Sequence, residues 1–439
     1  MRRWWLMLLG LLWPLVASVQ GAERYPVERF VTGNGMTVLL VENHANPMVE
    51  VRLLIRAGSV LDPPDRGGVA SLAAWMFNEG AGDLDAAAFQ ELLDFHGIEL
   101  SAAVDRESFG VDLTTLTESL DEAFRLLGLA LQAPRFDGEP FQRAIDEHRA
   151  RLEKDQEKPD VRASQALYRE VFRGHPYARP VDPTAESLPN LTAADLAAFR
   201  ARYFRAPDMV LAVAGDLTLE RLRTLVETHL GGLDARPAHR LALPEADPRP
   251  PAPRLHIPMT INQTTIRLGR VGISRQDPDY YVLTVLNHIL GGGFASRLYE
   301  EIREKQGLAY SVYSHFSPLA ARGPLVVGMR TKNSSVEQAL ELLRRELARI
   351  AADGVTEQEL QDARLYLTGS FPLRLDGLDK LAATWAAIAF HDRGWDYLER
   401  WPERIQAVTR DDLSRTARRL LQPDGFSVVT AGGEESATP

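Results

Sequence analysis

The chain contains no cysteine among its 439 residues. This absence excludes disulfide bonds, thiolate metal ligands, a cysteine nucleophile and lipid attachment through cysteine. Positive charge is also in deficit, because 50 Lys and Arg residues stand against 60 Asp and Glu residues, a net charge of −10. A protein that binds nucleic acid needs a basic surface for the phosphates, so we expect no nucleic-acid partner.

The N-terminus has only a short apolar stretch. Arg2 and Arg3 precede thirteen mostly apolar residues, Trp4–Val16, and small or polar residues follow. This pattern predicts a signal peptide over residues 1–22 and an exported, periplasmic protein. Thirteen residues are too few for a stable membrane span, although an uncleaved N-terminal anchor is the alternative.

The chain matches itself at a nearly constant shift of 215 to 217 residues. Residues 51–53 align with 266–268, and residues 207–208 align with 423–424. Three further matches fall between them in the same order: 62–63 with 277–278, 109–111 with 325–327, and 195–196 with 412–413. Matches in one order at one shift predict two copies of a single fold.

Proline marks the join between the two copies. Seven prolines lie between Pro237 and Pro258, a density that excludes a helix and favours a semi-rigid extended segment. We therefore predict an N-terminal domain over residues 23–234, a linker over 235–258 and a C-terminal domain over 259–433.

Strand and helix patterns occur in groups within each half. Residues 36–43 and 48–58 are apolar runs that predict a β-hairpin, and residues 68–79 predict a helix. The apolar run 209–216 predicts a further strand. Grouped strands and helices indicate an α+β fold in which each half is a mainly antiparallel sheet covered by helices, not a doubly wound parallel sheet.

Common catalytic motifs are missing: the sequence has no GxSxG, Walker A, GxGxxG or HExxH pattern. Candidate chemistry lies in residues 289–314, where Gly291, Gly292 and Gly293 precede a predicted helix from about Ala295 to Lys305 and a β-rich segment. Arg303 and Tyr310 can converge across the turn at Gly307, and would then supply donors to a carbonyl oxygen that becomes negative during peptide hydrolysis. The alternative is that Arg303 caps its helix and Tyr310 is sheet surface.

Four segments resemble the pitrilysin/insulinase-like zinc peptidases, whose metal helix carries an inverted His-x-x-Glu-His motif. They are RAGSVLDPP (56–64), HPYARPV (175–181), residues 191–217 and SRLYEEIREKQGLAYSVYS (296–314), and the resemblance spans residues 27–432. It implies a clamshell-type peptidase fold. It also implies that Arg303 and Tyr310 are the family's catalytic Arg/Tyr pair and that Gly291–Gly293 is a loop lining the peptide chamber.

The sequence departs from this family at the metal site. Ser71 and Trp75 stand at the two His positions, Ala74 at the general-base position and Arg151 at the third ligand position. None of these residues is a plausible zinc ligand, so we expect no metal in this chain. The resemblance implies a zinc-bearing sister subunit as partner, with zinc in that subunit and an unfolded peptide as substrate.

The sequence therefore predicts a metal-free subunit of an exported zinc peptidase heterodimer, inactive alone, which binds peptide and supplies Arg303 and Tyr310. A scaffold subunit with no role in proteolysis is the alternative, because the core proteins of the mitochondrial cytochrome bc complex are also similar to this family.

Overall fold

A computed structural model describes residues 26–238, 242–246, 248 and 254–433. The predicted signal peptide and part of the predicted linker lie outside the described residues. In the part of the chain that is described, no helix combines the length and the apolar character that crossing a membrane requires.

The N-terminal half is built on a mixed sheet of six strands within the described residues, in the spatial order β1-β2-β6-β3-β5-β4. Only the β2·β6 pair is parallel. The strands are β1 Glu28–Val31, β2 Thr37–Glu42, β3 Met48–Ile55, β4 Glu99–Val104, β5 Phe109–Leu116 and β6 Met209–Gly215. The helices are α1 Val69–Trp75, α2 Ala86–Phe95, α3 Leu120–Gln132, α4 Gly138–Gln156, α5 Pro159–Val171, α6 Ala193–Tyr203 and α7 Leu219–Leu230.

The C-terminal half repeats this arrangement with five strands in the described residues, in the order β7-β11-β8-β10-β9. Its one parallel pair, β7·β11, corresponds to β2·β6. The strands are β7 Leu255–Pro258, β8 Gln263–Val271, β9 Val312–Phe316, β10 Pro324–Lys332 and β11 Ser427–Gly432. The helices are α8 Tyr280–Gly291, α9 Val336–Asp353, α10 Glu357–Ser370, α11 Leu378–Phe390, α12 Tyr397–Gln406 and α13 Arg410–Leu420. The predicted α+β fold with two homologous, mainly antiparallel halves is confirmed.

The predicted hairpin of residues 36–43 and 48–58 is wrong. Both segments are strands, but β6 lies between them, pairing in parallel with β2 and antiparallel with β3. All seven residues of β6 are buried, so this strand needs apolar layers on both faces and a central place in the sheet. The helix predicted over 68–79 is also shorter, because α1 ends at Trp75.

Each sheet has two apolar faces, and its own half covers only one of them. In the N-terminal sheet, alternate residues such as Val38 and Leu53 pack with helices of the same half. The opposite face, formed by Leu39, Leu54 and Ala212, joins the core that contains α11 of the other half.

The C-terminal sheet is covered in the reciprocal way. On one face of this sheet, Val271, Val326 and Val429 form a core with α5, which is a helix of the N-terminal half. At the start of α5, the Asp160 carboxylate accepts hydrogen bonds from Arg267 Nη2 at 2.9 Å and Thr265 Oγ1 at 3.1 Å, both on β8. The two halves therefore exchange one helix each, and neither sheet is complete without the other half.

The Pro-rich segment is structured at its end, which corrects the predicted boundary. Leu255–Pro258 is strand β7 at the edge of the second sheet, so the C-terminal half begins before residue 259. Earlier in the segment, His175 Nε2 donates to the Pro244 carbonyl at 2.9 Å. The Tyr177 amide donates to Nδ1 of the same ring at 3.1 Å, which fixes the tautomer and makes His175 a structural residue.

A buried polar group also joins the halves. The Glu107 carboxylate, in the N-terminal half, accepts hydrogen bonds from the Tyr177 hydroxyl and from the guanidinium of Arg275, in the C-terminal half. The Ala320 amide donates to the same carboxylate at 2.7 Å. Because Glu107 and Arg275 are largely buried, breaking this pair would leave an uncompensated charge.

The exchanged packing of α5 can be tested at Leu167 and Gly269. A Cβ atom on Gly269 of β8 would lie 2.6 Å from Leu167 Cδ2 on α5, so Gly269→Ala should destabilise the protein. Leu167→Ala should cost roughly 2–5 kcal/mol by opening a cavity. The double variant should lose less free energy of unfolding than the two single variants lose together, because the smaller side chain at position 167 leaves room for the new methyl group at position 269.

Urea denaturation of the four proteins measures this coupling, with Arg169→Ala, at an exposed position of α5, as the control. Additive free energies of unfolding would contradict the contact between α5 and the C-terminal sheet.

Candidate functional site

Helix α1 carries Ser71, Ala74 and Trp75, the positions where the resemblance places the metal motif and which are called the former metal positions below. A buried carboxylate holds this helix at its N-terminus. Asp62 accepts hydrogen bonds from the Gly68 amide at 2.7 Å and the Ala70 amide at 3.0 Å. Burial raises the pKa of Asp62 to about 6, against the lowering effect of these two bonds. Arg179 donates to the Asp62 and Val60 carbonyls and fixes the loop that precedes α1.

A carboxylate joins two of the former zinc-ligand positions. Ser71 Oγ donates to Asp182 Oδ1 at 2.7 Å, and Arg151 Nη2 lies 3.7 Å from Asp182 Oδ2. The first and third ligand positions are thus linked by an ion pair and a hydroxyl hydrogen bond. A guanidinium has no lone pair to offer and repels a dication, so this set of side chains does not fit zinc.

The remaining two positions are apolar. Ala74 is buried, and Trp75 is half-buried against the edge of the N-terminal core. The Trp75 ring meets the ring of His148 edge-on at 6.0 Å, and His148 Nδ1 bonds the Ala144 carbonyl at 2.9 Å. In residues 26–238, 242–246 and 254–433, no three His, Asp or Glu side chains are grouped so that they could hold a metal ion.

Gly291 has a packing role that the sequence analysis did not anticipate. It ends α8, and a Cβ atom there would lie 2.5 Å from the Ser314 amide on β9. Glycine therefore lets α8 approach β9 closely. A role of Gly291, Gly292 and Gly293 in substrate binding stays a prediction. The next residue, Phe294, is largely exposed and packs edge-on against Tyr299 at 5.2 Å.

Arg303 lies on a π-helix, Tyr299–Lys305, where an α-helix was predicted. Short π-helical segments are rare and often occur at functional sites. Here Arg303 Nη1 donates to the Tyr299 hydroxyl, and the guanidinium carbon lies 4.6 Å from the centre of the Tyr299 ring. The side chain thus contacts Tyr299, and the alternative in which Arg303 caps its own helix finds no support in these contacts.

The structure brings Arg303 and Tyr310 together. The guanidinium carbon of Arg303 lies 5.1 Å from the centre of the Tyr310 ring, and Tyr310 is 86% exposed. Tyr310 precedes the sheet, because β9 begins only at Val312. The nearest acid, Glu304, is 3.8 Å from Arg303 and exposed, too weak a pair to neutralise the guanidinium. Both side chains therefore offer donors at the surface, and their catalytic role stays a prediction.

A second ion pair anchors the segment that carries Arg303. Arg297 donates to both carboxylate oxygens of Glu359 on α10, at 2.5 and 2.8 Å, and to the Gly354 carbonyl at 3.1 Å. Burial by itself would raise the pKa of Glu359, but hydrogen bonds from Arg297 and Thr356 lower it to about 2. The Thr356–Glu359 capping box is visible in the sequence, whereas the roles of Arg297, Tyr299 and Asp182 carry no sequence signal of their own.

Acid should therefore weaken this anchor. The pKa of Glu359 is lower in the folded protein than its ordinary value of 4.5, so its stabilising contribution is complete above pH 4.5 and is lost as the pH falls toward 2. We expect a loss of roughly 1–2 kcal/mol, because solvent screens a partly exposed pair. Glu359→Gln should remove this part of the pH dependence.

Urea denaturation at pH 6, 4 and 3 measures the effect. Glu357→Gln, an exposed acid in the same helical turn, is the matched control and should keep the acid dependence of the wild type. An unchanged pH profile in Glu359→Gln would show that the Arg297–Glu359 pair contributes nothing to stability.

Comparison with known proteins identifies the family of this chain. The family model for insulinase (peptidase family M16) matches residues 37–184, and the model for the peptidase M16 inactive domain matches residues 190–367. A Helicobacter pylori protein called non-peptidase homolog YmxG is 31% identical over 342 residues, which cover 77% of this chain and 78% of that protein. An uncharacterized zinc protease YmxG of Bacillus subtilis is 26% identical and covers 93% of this chain and 99% of its own length.

Solved structures agree with these matches. The crystal structure of a peptidase M16 inactive domain from Pseudomonas fluorescens has a TM-score of 0.89 at 31% identity, covering 94% of this chain and 99% of that one. A Helicobacter pylori protease has the same fold, with a TM-score of 0.83 at 18% identity. The chain belongs to the insulinase family of M16 peptidases, and its residues 190–367 match the model of the M16 inactive domain.

Proposed function

We propose that this chain is the metal-free subunit of an exported peptidase, which binds peptide together with a zinc-bearing sister subunit. An inactive M16-like protein fits a non-catalytic subunit of peptidase fold. The observation that carries the proposal is the contact between the half-buried Arg303 and the exposed Tyr310, 5.1 Å apart from guanidinium carbon to ring centre. The former metal positions, by contrast, are closed by the Ser71–Asp182–Arg151 contacts.

The two side chains would act on the carbonyl oxygen of the bond being cleaved. This oxygen gains negative charge as the tetrahedral intermediate forms, and a guanidinium and a phenol hydroxyl are both donors to such an oxygen. Tyr299 would hold the guanidinium in place through its hydroxyl and ring. The Arg303 guanidinium is thus oriented before the substrate arrives, which is what makes such stabilisation effective.

Kinetics on the complex with its partner test this function. The partner is the zinc-bearing M16 subunit that co-purifies with the full chain, with zinc assigned to it by metal analysis of the separated subunits. Arg303→Ala and Tyr310→Phe should each lower kcat about 100–1,000-fold with a much smaller change in KM, because the contacts strengthen only in the transition state. Tyr299→Phe, which keeps the ring and removes the hydroxyl, should have a smaller effect in the same direction.

Arg344→Ala and Tyr366→Phe are matched controls on exposed helix positions of α9 and α10. Size-exclusion chromatography verifies that every variant still assembles. Full activity of both Arg303→Ala and Tyr310→Phe in an assembled complex would remove the pair from catalysis. The chain would then be a scaffold subunit.

Export is the second part of the proposal. It rests on the basic residues Arg2 and Arg3 followed by the apolar stretch Trp4–Val16. We expect the mature protein in the periplasm, with its N-terminus near Gly21 or Ala22. Mass spectrometry of the protein from fractionated cells measures this directly. An intact Met1 in the cytoplasmic fraction would contradict export.

A further inference from the structure

A cavity with a volume of 480 Å³ lies between the loop that joins β3 to α1 and the last turns of α6. Most of its wall is apolar. Neither the former metal positions nor the Arg303–Tyr310 pair lines it. The apolar residues that form its interior include Val60, Leu61, Pro63, Pro64, Val69 and Phe199.

Both sides of this cavity are held in place by contacts within the chain. On the loop side, Arg179 donates to the carbonyls of Val60 and Asp62, both at 2.8 Å. On the helix side, the rings of Phe199 and Tyr203 lie one turn apart on α6, with their centres at 4.9 Å. An apolar wall that is already formed lowers the cost of ordering side chains when a ligand binds.

The acidic residues of the lining are already engaged. Asp62 accepts hydrogen bonds from two backbone amides at the start of α1. Asp195 is ion-paired with Arg66, and it accepts a hydrogen bond from the Thr192 amide at the start of α6. Because both carboxylates are compensated, a cationic ligand would gain little here.

Arg202 supplies a positive charge that is not compensated. It is an exposed residue of the lining, and its guanidinium makes no hydrogen bond or ion pair in the described part of the chain. Its guanidinium carbon lies 5.2 Å from the centre of the adjacent Tyr203 ring. Arg179, the other cation of the lining, is committed to the loop carbonyls. The charge that this cavity leaves unpaired is therefore positive.

Tyr203 adds a second donor to the same wall. The residue is 7% exposed, and its hydroxyl makes no hydrogen bond among the described residues while it stays in contact with solvent. Burial raises the pKa of Tyr203, and the two charges that act on it next, Arg202 lowering it and Asp62 raising it, both line this cavity. The phenol therefore keeps its proton. A buried tyrosine hydroxyl usually has a hydrogen-bond partner, and a ligand oxygen can fill that role.

We propose that this cavity binds an apolar monocarboxylate, of which a medium-chain fatty acid is the simplest example. Its carboxylate pairs with Arg202 and accepts from the Tyr203 hydroxyl, and its hydrocarbon chain lies against the apolar wall. A volume of 480 Å³ falls within the range of small-molecule sites. This site is independent of the proposed proteolytic role.

Isothermal titration calorimetry on the full chain tests the class of ligand, with octanoate and decanoate as probes. Both should bind saturably, and decanoate should bind up to about tenfold more tightly, because each buried methylene group adds to the affinity. 1-Octanol, which has the same chain as octanoate and no charge, should bind about tenfold more weakly than octanoate. Butyrate, which keeps the carboxylate and loses most of the chain, should show no binding up to about 10 mM.

Two neighbouring positions on α6 test the location of the site. Ala198 is exposed and lines the cavity, so Ala198→Trp should fill it and weaken octanoate binding by about tenfold or more. Ala197→Trp is the matched control, because Ala197 is equally exposed and lies outside the cavity. It should bind octanoate like the wild type.

The two donors are tested separately. Arg202→Ala should weaken octanoate binding about fivefold, the effect of a partly exposed ion pair. Tyr203→Phe keeps the ring, removes the hydroxyl and should weaken binding about tenfold. Arg223→Ala is the control for Arg202, because Arg223 stacks on Phe30 at 4.1 Å in the same way but outside the cavity. Thermal unfolding verifies that each variant is folded.

The proposal is wrong if neither octanoate nor decanoate binds at concentrations up to about 10 mM. It is equally wrong if 1-octanol binds as tightly as octanoate, or if Ala198→Trp binds octanoate like Ala197→Trp. Unchanged binding in both Arg202→Ala and Tyr203→Phe would also overturn it.

Discussion

Each sheet of this protein depends on a helix from the opposite half of the chain to cover one of its apolar faces. Helix α11 covers the N-terminal sheet, and α5 covers the C-terminal sheet. Pulling the halves apart would expose both faces and break the buried Glu107–Arg275 pair, at a cost comparable to unfolding. Shared packing therefore holds the two halves together.

The two candidate catalytic regions are anchored by separate contacts. The helix of the former metal site is fixed by Asp62, through hydrogen bonds to the Gly68 and Ala70 amides. The Arg303 segment is fixed by the Arg297–Glu359 pair. Neither anchor uses a metal or a residue of the other region. The geometry around Arg303 therefore does not depend on which residues stand at positions 71, 74, 75 and 151.

Sequence reasoning predicted what depends on local pattern and repeated spacing. The two halves, the α+β class and the meeting of Arg303 with Tyr310 across a seven-residue turn all follow from such patterns. The predicted hairpin of β2 and β3 was wrong because β6, more than 150 residues away in sequence, lies between them. Local sequence patterns do not indicate a strand partner so distant. Asp182 and Tyr299 were missed for a related reason. Their roles arise from contacts made only in the folded chain.

The charges around the positions where the resemblance places the zinc ligands show why a zinc site is not easily built there. A zinc site needs neutral imidazoles and carboxylates around a dication. Here Arg151 brings positive charge to one ligand position, and Asp182 is engaged by Arg151 and Ser71 together. Changing Ser71 alone to histidine would add one ligand while the guanidinium still opposed the metal, and Ala74 would still offer no general base. A working zinc site would need changes at several of these positions at once, because no single change supplies the ligands, the general base and the right charge together. The proposed contribution of this chain to peptide hydrolysis therefore rests on Arg303 and Tyr310, whose guanidinium carbon and ring centre lie 5.1 Å apart.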